Sequence, residues 1–476
     1  MTKNPQVLTL GLDVSTQGVK AVAWNPEAER IEWSASVNYG RDLPQFGSPD
    51  GFLPNEDVLV REANPLMWIA GLELALARLA EAGCPMDAIA AVGGDAQQHA
   101  SVYLTAEGLA GLGSAPADAS WFSRERSPIW MDSSTSAQCA ALDARFGARM
   151  QSDTGSPAIE RFAGPQIMKF AAGAPAAYAR TARIHLLSSF LASCLAGAEM
   201  PIDAGDGAGM NLLNLKTGRW DAEICEFTAP GLEAKLPAVH VSRAPLSRPL
   251  SARFARFGLR PGIPVVPFTG DNPASLVGVG AEKPGTAVIS LGTSDVFFAA
   301  MEDFHVDPAG YGHVFGNPAG GFMSLSCFKN GSLARDRVRR ELGVDWRFFD
   351  ETAWAGEAAG AKRPRAYPYF EAEITPKHAA SGIEADFDWP AAEPAVKVRA
   401  IVEGQIANMY ERTRWIGDFA EIKVTGGASR SKGIRDTIAR IFRAEVKAID
   451  LPDSAAVGGA RLAARALSQV TDFRRM

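Results

Sequence analysis

The residues best suited to catalysis lie between Pro267 and Phe298, where PFTGDNPASLVGVG is followed by VISLGTSDVFF. Gly270 ends a short apolar run and Pro273 favours the first turn of a helix, so Asp271 is predicted at a helix N-terminus. Because the helix dipole favours negative charge there, we expect Asp271 to be ionised at neutral pH. An ionised carboxylate can accept a proton from a substrate hydroxyl, which makes Asp271 the predicted catalytic base. The alternative is a carboxylate that only caps the helix.

After this helix the sequence predicts a hairpin whose turn can bind phosphate. The apolar runs Val288–Leu291 and Val296–Ala299 are typical of strands, and they are joined around Gly292, Thr293 and Ser294. Backbone N–H groups and hydroxyls of such a turn can bind phosphate oxygens, and Thr293 is the predicted contact. A plain hairpin turn without a ligand is the alternative.

A second hairpin of the same kind opens the chain, with strands predicted for Val7–Asp13 and Val19–Trp24. The repetition suggests an internal duplication in which each half contributes one phosphate-facing hairpin to a cleft between the halves. Such a cleft suits ATP. Asp13 is then expected to hold Mg²⁺ through water, and Thr16 and Gln17 are expected to face the terminal phosphate. An ordinary hairpin with a capped turn is the alternative.

Two further polar residues are candidates for substrate contacts. His99 closes the segment GGDAQQH, which follows a predicted strand at Ile89–Val92, and polar residues in that position commonly line a pocket. A structural histidine with its hydrogen bonds satisfied inside the protein is the competing interpretation. Arg161 stands among apolar and small residues, where an arginine either pairs with a carboxylate or binds substrate oxygens.

A nucleotide base has two predicted contact regions in the C-terminal half. Trp346 follows an Arg-rich helix and could stack on adenine, although packing inside the protein is the competing interpretation. A predicted strand at Glu421–Val424 ends in TGGASR, and the paired Gly426 and Gly427 would let a flat base lie against the backbone. Many such turns contain glycine without binding a ligand.

Composition limits the classes of protein and of partner. A chain of 476 residues, 47% hydrophobic and 21% charged, is expected to fold into two or more globular domains. Its net charge of -6 lacks the basic excess typical of proteins that bind nucleic acid or anionic membranes, so small molecules are the expected partners.

The cysteines and the apolar segments predict a soluble cytoplasmic protein. The 5 cysteines lack metal-ligand spacing, and their odd number suits a reducing compartment. The N-terminus shows no apolar signal segment, and the uncharged apolar stretch 186–198 is too short to span a bilayer. Sequence motifs of P-loop proteins, dinucleotide-binding proteins and protein kinases are also missing.

Six segments of the chain resemble, in order and nearly from end to end, those of the FGGY family of carbohydrate kinases: GLDVST, GGDAQQHA, PIWMDSST, GDNPASLVG, SLGTSD and VTGGASR. The resemblance implies an α/β fold of two actin-like (RNase H-like) domains around a central cleft. We place the sugar-binding domain at residues 1–258 and the nucleotide-binding domain at residues 259–476. The segments TGSPAIERFAGPQIMKF and CFKNGSL most resemble the branch that phosphorylates D-xylulose with ATP.

The resemblance also implies roles for individual residues, ATP and Mg²⁺ as cofactors, and Asp271 as the catalytic base. The implied sugar contacts are His99, Arg161, Asp271 and Asn272. The implied contacts of the adenine nucleotide are Trp346, Gly426, Gly427 and Arg430. Ribulose, gluconate and glycerol remain alternative substrates, and a homodimer remains an open expectation. An actin-like protein that binds ATP without catalysis remains the alternative of another class.

Overall fold

The structure is a computed structural model that describes residues 7–113, 117–241, 246–352, 363–451 and 453–473. The chain divides into two compact units. The first comprises Met1–Gly280, Phe315–Phe322 and Asp453–Met476, and the second comprises Ala281–Val314 and Met323–Pro452. The first unit therefore includes both the helix that begins at Asp271 and the C-terminal helix. The division into functional domains at residues 258 and 259 stays a prediction.

Strands and helices both occur throughout the described residues. The strands are β1 (Leu8–Val14), β2 (Gly18–Asn25), β3 (Arg30–Asn38), β4 (Glu62–Ala63), β5 (Ile89–Ala96), β6 (Ser101–Leu104), β7 (Ser127–Pro128), β8 (Arg183–Leu186), β9 (Ile202–Asp203), β10 (Leu213–Asn214), β11 (Arg219–Trp220), β12 (Val239–His240), β13 (Arg248–Pro249), β14 (Pro264–Val265), β15 (Thr269–Gly270), β16 (Thr286–Leu291), β17 (Asp295–Met301), β18 (His313–Gly316), β19 (Phe322–Phe328), β20 (Ala366–Tyr369), β21 (Glu373–Ile374), β22 (Lys377–His378), β23 (Gly382–Ala385), β24 (Glu421–Thr425) and β25 (Glu445–Ala448). The helices are α1 (Tyr39–Asp42), α2 (Pro65–Glu81), α3 (Ala106–Gly111), α4 (Ser136–Phe146), α5 (Ala148–Thr154), α6 (Ala163–Gly173), α7 (Pro175–Arg180), α8 (Leu187–Ala196), α9 (Ala204–Gly207), α10 (Ala222–Thr228), α11 (Leu232–Lys235), α12 (Asp271–Gly278), α13 (Ser332–Glu341), α14 (Trp346–Thr352), α15 (Pro394–Thr413), α16 (Lys432–Phe442) and α17 (Ser454–Phe473).

The first unit is built on a sheet in the order β13-β14-β5-β1-β2-β3, with β15 also paired to β5. Strand β1 has every residue buried, as expected for a central strand. Helix α17 packs against β1 so closely that a Cβ at Gly11 would lie 1.9 Å from the carbonyl oxygen of Ala456. Glycine at position 11 is therefore needed for the helix to approach the sheet.

The second unit contains a sheet in which β19, β17, β16, β24 and β25 are neighbours in that order. The two predicted hairpins are confirmed as the antiparallel pairs β1 with β2 and β16 with β17. In both sheets the first hairpin strand has a parallel strand on its other side, β5 beside β1 and β24 beside β16. This shared arrangement is what an internal duplication of an α/β domain would produce.

Within the ranges that the structure describes, none of the helices combines the length and the apolar character that crossing a bilayer requires.

Candidate active site

Three carboxylates come together in the first unit, at the ends of strands β1 and β5 and the start of helix α12. Asp13 and Asp95 are in-register partners on the parallel strands β1 and β5. Thr269 pairs with Asp95, which brings Asp271 to the same end of the sheet as the first residue of α12. The sheet therefore brings the predicted base and the predicted metal ligand together.

The pKa of Asp271 contradicts one expectation from the sequence. Burial raises the pKa of Asp271 from 3.8 to about 7, and the nearby charge of Asp13 adds to the increase. Hydrogen bonds from Asn272 lower the pKa by less. The sequence predicts an Asp271 that is ionised at neutral pH. Because burial outweighs the effect of the helix N-terminus, the carboxyl group is only partly ionised there. A carboxylate with a pKa near 7 is still well matched to general base catalysis at neutral pH.

The two other carboxylates also hold protons more tightly than ordinary aspartates. Burial raises the pKa of Asp13 to about 6, although the positive charge of Lys20 opposes the rise. Lys20 also forms an ion pair with Asp453. Burial and the charge of Asp13 hold the pKa of Asp95 well above its usual range. The three carboxyl groups therefore share fewer than three negative charges at neutral pH unless a cation is present.

Asn272 links the predicted base to the turn after β5. Its backbone N–H donates to Oδ1 of Asp271 at 2.8 Å, and its Nδ2 donates to the same oxygen at 2.9 Å. Nδ2 also donates to Oε1 of Gln98 at 2.9 Å. These bonds fix the orientation of the Asp271 carboxylate, so Asn272 positions the base in addition to any contact with a substrate.

His99 and Arg161 both contact one aromatic ring, that of Phe162. The His99 imidazole stacks on Phe162 with the ring centroids 4.3 Å apart, and the Arg161 guanidinium is 5.8 Å from the centroid of the same ring. Nδ1 of His99 lies 3.0 Å from the carbonyl oxygen of Gly209, so we assign the ring proton to Nδ1. His99 also adopts a φ of 71°, which is uncommon for a residue with a side chain. The two predicted sugar contacts are therefore neighbours.

Thr16 and Gln17 differ in how the structure uses them. The Thr16 hydroxyl accepts a hydrogen bond from Nε1 of Trp130 at 2.8 Å and lies 3.4 Å from Oε1 of Gln97. Gln17 is exposed, and its backbone carbonyl accepts a bond from the N–H of Tyr39 at 3.0 Å. Thr16 is thus tied to the turn after β5, which contains His99, whereas Gln17 has a backbone role in the hairpin.

Asp206 also belongs to this group of acidic residues, although no site role was predicted for it from the sequence. Its side chain is fully buried, and Oδ2 accepts a hydrogen bond from the Ser188 hydroxyl at 2.5 Å. Burial raises the pKa of Asp206 to about 8, with smaller contributions from the charges of Asp271 and Asp203. Only the fold identifies Asp206 and Asp95, because aspartates near glycines occur in many turns.

Replacing Asp206 by Asn is expected to stabilise the protein more at pH 8 than at pH 5. The folded pKa of about 8 lies above the ordinary value of 3.8, so between these pH values the unfolded chain loses a proton that the folded chain keeps. Stability therefore falls with rising pH in this window, by up to about 1.4 kcal/mol per pH unit, and asparagine removes this loss. Urea unfolding of both proteins at the two pH values measures the difference. An equal change in stability at both pH values would contradict this assignment.

The second unit contains a pocket of about 690 Å³ that brings together four residues predicted to bind the nucleotide. These residues are Thr293, Trp346, Gly427 and Arg430. Trp346 is 46% exposed, so its side chain is accessible to a ligand. Gly426 precedes Gly427 with a φ of 87°, and a Cβ there would lie 2.4 Å from the carbonyl oxygen of Leu291. Glycine is thus required at position 426 for this turn to pack on the hairpin.

A buried ion pair supports one wall of this pocket. Arg335 binds both carboxylate oxygens of Asp295, at 2.7 and 2.9 Å, and the two side chains are each 2% exposed. Arg335 also donates to Oγ of Ser332 at 2.7 Å. The backbone N–H of Ser332 in turn donates to the carbonyl oxygen of Gly292 at 3.1 Å, which connects helix α13 to the predicted phosphate turn.

The predicted site residues thus form two groups, one in each unit. Asp13, Thr16, Gln17, His99, Arg161, Asp271 and Asn272 belong to the first unit. Thr293, Trp346, Gly426, Gly427 and Arg430 belong to the second. Ser332 and Asp336 also line the pocket of the second unit, and the sequence had given them no part in binding.

The chain is similar to curated relatives over nearly its whole length. It is 39% identical over 469 residues to the xylulose kinase of Rattus norvegicus, which covers 95% of this chain and 87% of the relative. It is 38% identical over 471 residues to the xylulose kinase of Mus musculus, covering 95% of this chain and 84% of the relative.

Solved structures and family models also match the chain over most of its length. The crystal structure of a xyloylose kinase from Brucella ovis matches with a TM-score of 0.81 and 24% identity, over 97% of this chain and 91% of that one. This likeness confirms the predicted fold class, α/β with two actin-like domains. The chain belongs to the FGGY family of carbohydrate kinases, whose N-terminal domain model matches residues 8–278 and whose C-terminal domain model matches residues 287–467.

Proposed function

We propose that this protein transfers the γ-phosphoryl group of ATP to D-xylulose and forms D-xylulose 5-phosphate. The observation that carries the proposal is the 38–39% identity, over 95% of the chain, to proteins named xylulose kinases in mouse and rat. A relative named xylulose kinase 2 in Arabidopsis thaliana, 35% identical over 490 residues, adds a plant protein with the same activity in its name.

Asp271 is the proposed catalytic base. Its carboxylate accepts the proton of the attacking hydroxyl while the hydroxyl oxygen forms a bond to the γ-phosphorus. The bond from that phosphorus to the oxygen bridging to the β-phosphate breaks, and ADP leaves with the electron pair. A pKa of about 7 supports this role, since the group can both hold and release a proton at neutral pH.

His99, Arg161 and Asn272 are the proposed sugar contacts. With its Nδ1–H directed to the carbonyl of Gly209, a neutral His99 can offer Nε2 to a sugar hydroxyl. Arg161 can donate to sugar oxygens beside it. The shared Phe162 ring keeps the His99 and Arg161 side chains in a fixed relation, which supports their joint role.

Alanine at His99 or at Arg161 is expected to raise the KM for the sugar by about tenfold or more and the KM for ATP much less. Each change removes a hydrogen bond to one substrate alone, and loss of uniform binding appears mainly in KM. Steady-state kinetics with each substrate varied in turn measures the ratio, and circular dichroism checks folding. Equal increases for both substrates would assign the residue a structural role instead.

The pocket of the second unit is the proposed site of the adenine nucleotide. Its volume of about 690 Å³ lies in the range of small-molecule sites. Trp346 offers an exposed ring for stacking, and Gly427 offers backbone without a side chain. Thr293 is a proposed phosphate contact in this pocket. Thr16, in the first hairpin, is the proposed contact of the terminal phosphate.

Mg²⁺ is the proposed metal, and Asp13 is its proposed contact through water. Among the described residues, no group of three or more acidic, histidine or cysteine side chains could hold a metal ion by itself, so phosphate oxygens and water would supply the other ligands. The buried carboxyl groups of Asp13 and Asp95 share a hydrogen bond, which needs a proton on one of them, and a nearby cation could take the place of that proton. One or two carboxylates are a common protein share of a Mg²⁺ site completed by phosphates and water. When bound, the metal would neutralise phosphate charge.

A coupled ADP-release assay over a panel of sugars and polyols tests the proposed function. The purified protein, ATP and Mg²⁺ are combined in turn with D-xylulose, ribulose, gluconate and glycerol. The expected result is the highest kcat/KM with D-xylulose. A higher value with another member of the panel would keep the protein a carbohydrate kinase and change its substrate. ATP turnover that no sugar stimulates would favour the actin-like protein without catalysis.

The proposed setting of this activity is the cytoplasm, with a homodimer as the proposed assembly. The five cysteines are free thiols in the structure, four of them buried, which suits a reducing compartment. Size-exclusion chromatography with light scattering measures the oligomeric state.

A further inference from the structure

We propose that Trp130 is a positioning residue for phosphoryl transfer, whose indole N–H holds the Thr16 hydroxyl so that the hydroxyl proton is directed to a phosphate oxygen. This inference rests on the proposed function, in which Thr16 faces the terminal phosphate of ATP. It adds a residue from another part of the first unit to the phosphate-facing hairpin.

The hydrogen bonds of Thr16 determine where its proton can point. An indole N–H can only donate, so its 2.8 Å contact makes the Thr16 oxygen the acceptor. The hydroxyl proton must then be directed elsewhere, and Oε1 of Gln97 is 3.4 Å away. A hydrogen bond of that length is weak. A phosphate oxygen carries negative charge and is a stronger acceptor, so it can accept the hydrogen bond of the Thr16 hydroxyl in place of Gln97.

The backbone on both sides of this contact is fixed. In the hairpin turn, the N–H of Ser15 donates to the carbonyl of Gly18 at 3.0 Å. On the other side, the N–H of Ile129 donates to the carbonyl of Arg61 at 3.1 Å, and Asp132 accepts from the N–H of Arg61 at 2.9 Å. The indole is therefore presented to Thr16 from a rigid segment.

Packing alone does not explain a tryptophan at position 130. Its side chain is 44% exposed, so much of its large ring remains in contact with water. A core tryptophan such as Trp68 is instead fully buried. The contact that distinguishes Trp130 is the hydrogen bond to Thr16, which a smaller apolar residue could not make.

The contact also connects to the predicted base. Gln97, which faces Thr16, is followed in the chain by Gln98, which accepts a hydrogen bond from Asn272 at 2.9 Å. Asn272 donates to Asp271 at 2.9 Å. Adjacent residues of the turn after β5 thus contact Thr16 and the residue that orients the base, and loss of the Trp130 bond should affect turnover more than sugar binding.

A double-mutant cycle in the full-length protein tests the inference. Trp130→Phe keeps an aromatic ring and removes the N–H, and we expect it to lower kcat by about tenfold with little change in the KM for sugar. In a Thr16→Val background the same change should have no further effect, because its target is gone. In a Thr16→Ser background, which keeps the hydroxyl, the loss should persist. Equal losses in the Val and wild-type backgrounds would overturn the inference.

Trp220 provides the matched control. Its Nε1 donates to the carbonyl oxygen of Pro237 at 2.7 Å, so Trp220→Phe removes a comparable indole bond elsewhere in the first unit. The kcat of this variant should stay close to that of the wild type. A tenfold loss there as well would show that the effect of Trp130→Phe is not specific to Thr16, and would overturn the inference.

Nuclear magnetic resonance of the indole groups gives a readout that needs no turnover. In protein labelled with ¹⁵N-tryptophan, the Trp130 signal is the one that Trp130→Phe removes. Thr16→Val should shift that proton resonance upfield, and Thr16→Ser should not; an unmoved signal in both would overturn the inference. The assay of the wild-type protein separates the two proposals. Absence of sugar-stimulated ADP release there would refute the proposed function, whereas an active wild type with an additive cycle would refute only the role of Trp130.

Discussion

Asp271→Asn is expected to lower kcat by about 10²- to 10⁴-fold, which is the usual contribution of a general base. Asparagine is close in shape to aspartate and can keep the hydrogen bond from the Asn272 backbone, so sugar binding should change far less than turnover. Stopped assays at saturating D-xylulose and ATP measure kcat, and calorimetric titration measures the affinity for sugar. Near-normal turnover at saturating sugar would remove Asp271 from the role of base.

The pH profile gives a second readout of the same residue. The base must be deprotonated to act, and its pKa is about 7, so kcat/KM of the wild type should fall as the pH decreases through about 7. The residual activity of Asp271→Asn should not show this decrease at low pH.

Asp221→Asn is the matched control for both measurements. Asp221 caps helix α10 by accepting a bond from the N–H of Ile224 at 3.1 Å and pairs with Arg149 at 2.9 Å. Asparagine keeps the cap and removes the charge of a buried carboxylate outside the predicted site. This variant should keep both the turnover and the pH profile of the wild type. A similar loss of kcat in the control would point to a general effect on the fold.

Local patterns in the sequence were sufficient for the hairpins and for the place of Asp271. The hairpins are predicted by the strand residues that flank VSTQG and GTS, and the helix start at Asp271 is predicted by Gly270 and Pro273. Each of these patterns involves only near neighbours in the chain. The same is true of the paired glycines 426 and 427. These are the features for which the sequence predictions and the structure agree.

The electrostatics of the site could not be predicted in the same way. The helix dipole acting on Asp271 is local and visible in the sequence, but burial and the charge of Asp13 depend on how distant segments meet in the sheet. These long-range terms reverse the direction of the pKa shift. For the same reason, the sequence could not show that Asp206 and Asp95 lie close to Asp13 and Asp271 in one group of acidic residues.

Contacts between side chains that are distant in the sequence could not be predicted from the sequence either. The bond from Trp130 to Thr16 and the contact of His99 with Gly209 join segments that have no pattern in common. A sequence identifies each residue as a candidate, and only the fold determines its partner. The roles of Trp130 and Asn272 as positioning residues therefore come from the structure.

Arg335→Met is expected to destabilise the protein by about 3–5 kcal/mol, because it leaves the Asp295 carboxylate buried without its ion pair. Both side chains are 2% exposed, so water cannot replace the lost partner. The change also removes the bond to Ser332, which lines the predicted nucleotide pocket. We therefore expect the KM for ATP to rise as well. Urea unfolding measures the free energy, and steady-state kinetics measures the KM.

Two further variants separate the buried charge from the loss of an arginine as such. Arg347→Ala breaks an exposed pair with Glu351 on helix α14, where the side chains are 80% and 62% exposed, so stability should hardly change. Adding Asp295→Leu to Arg335→Met removes the unpaired charge, and this double variant should recover much of the lost stability. A double variant as unstable as Arg335→Met would show that the cost comes from packing. The ion pair would then not be what holds helix α13 against the predicted phosphate turn.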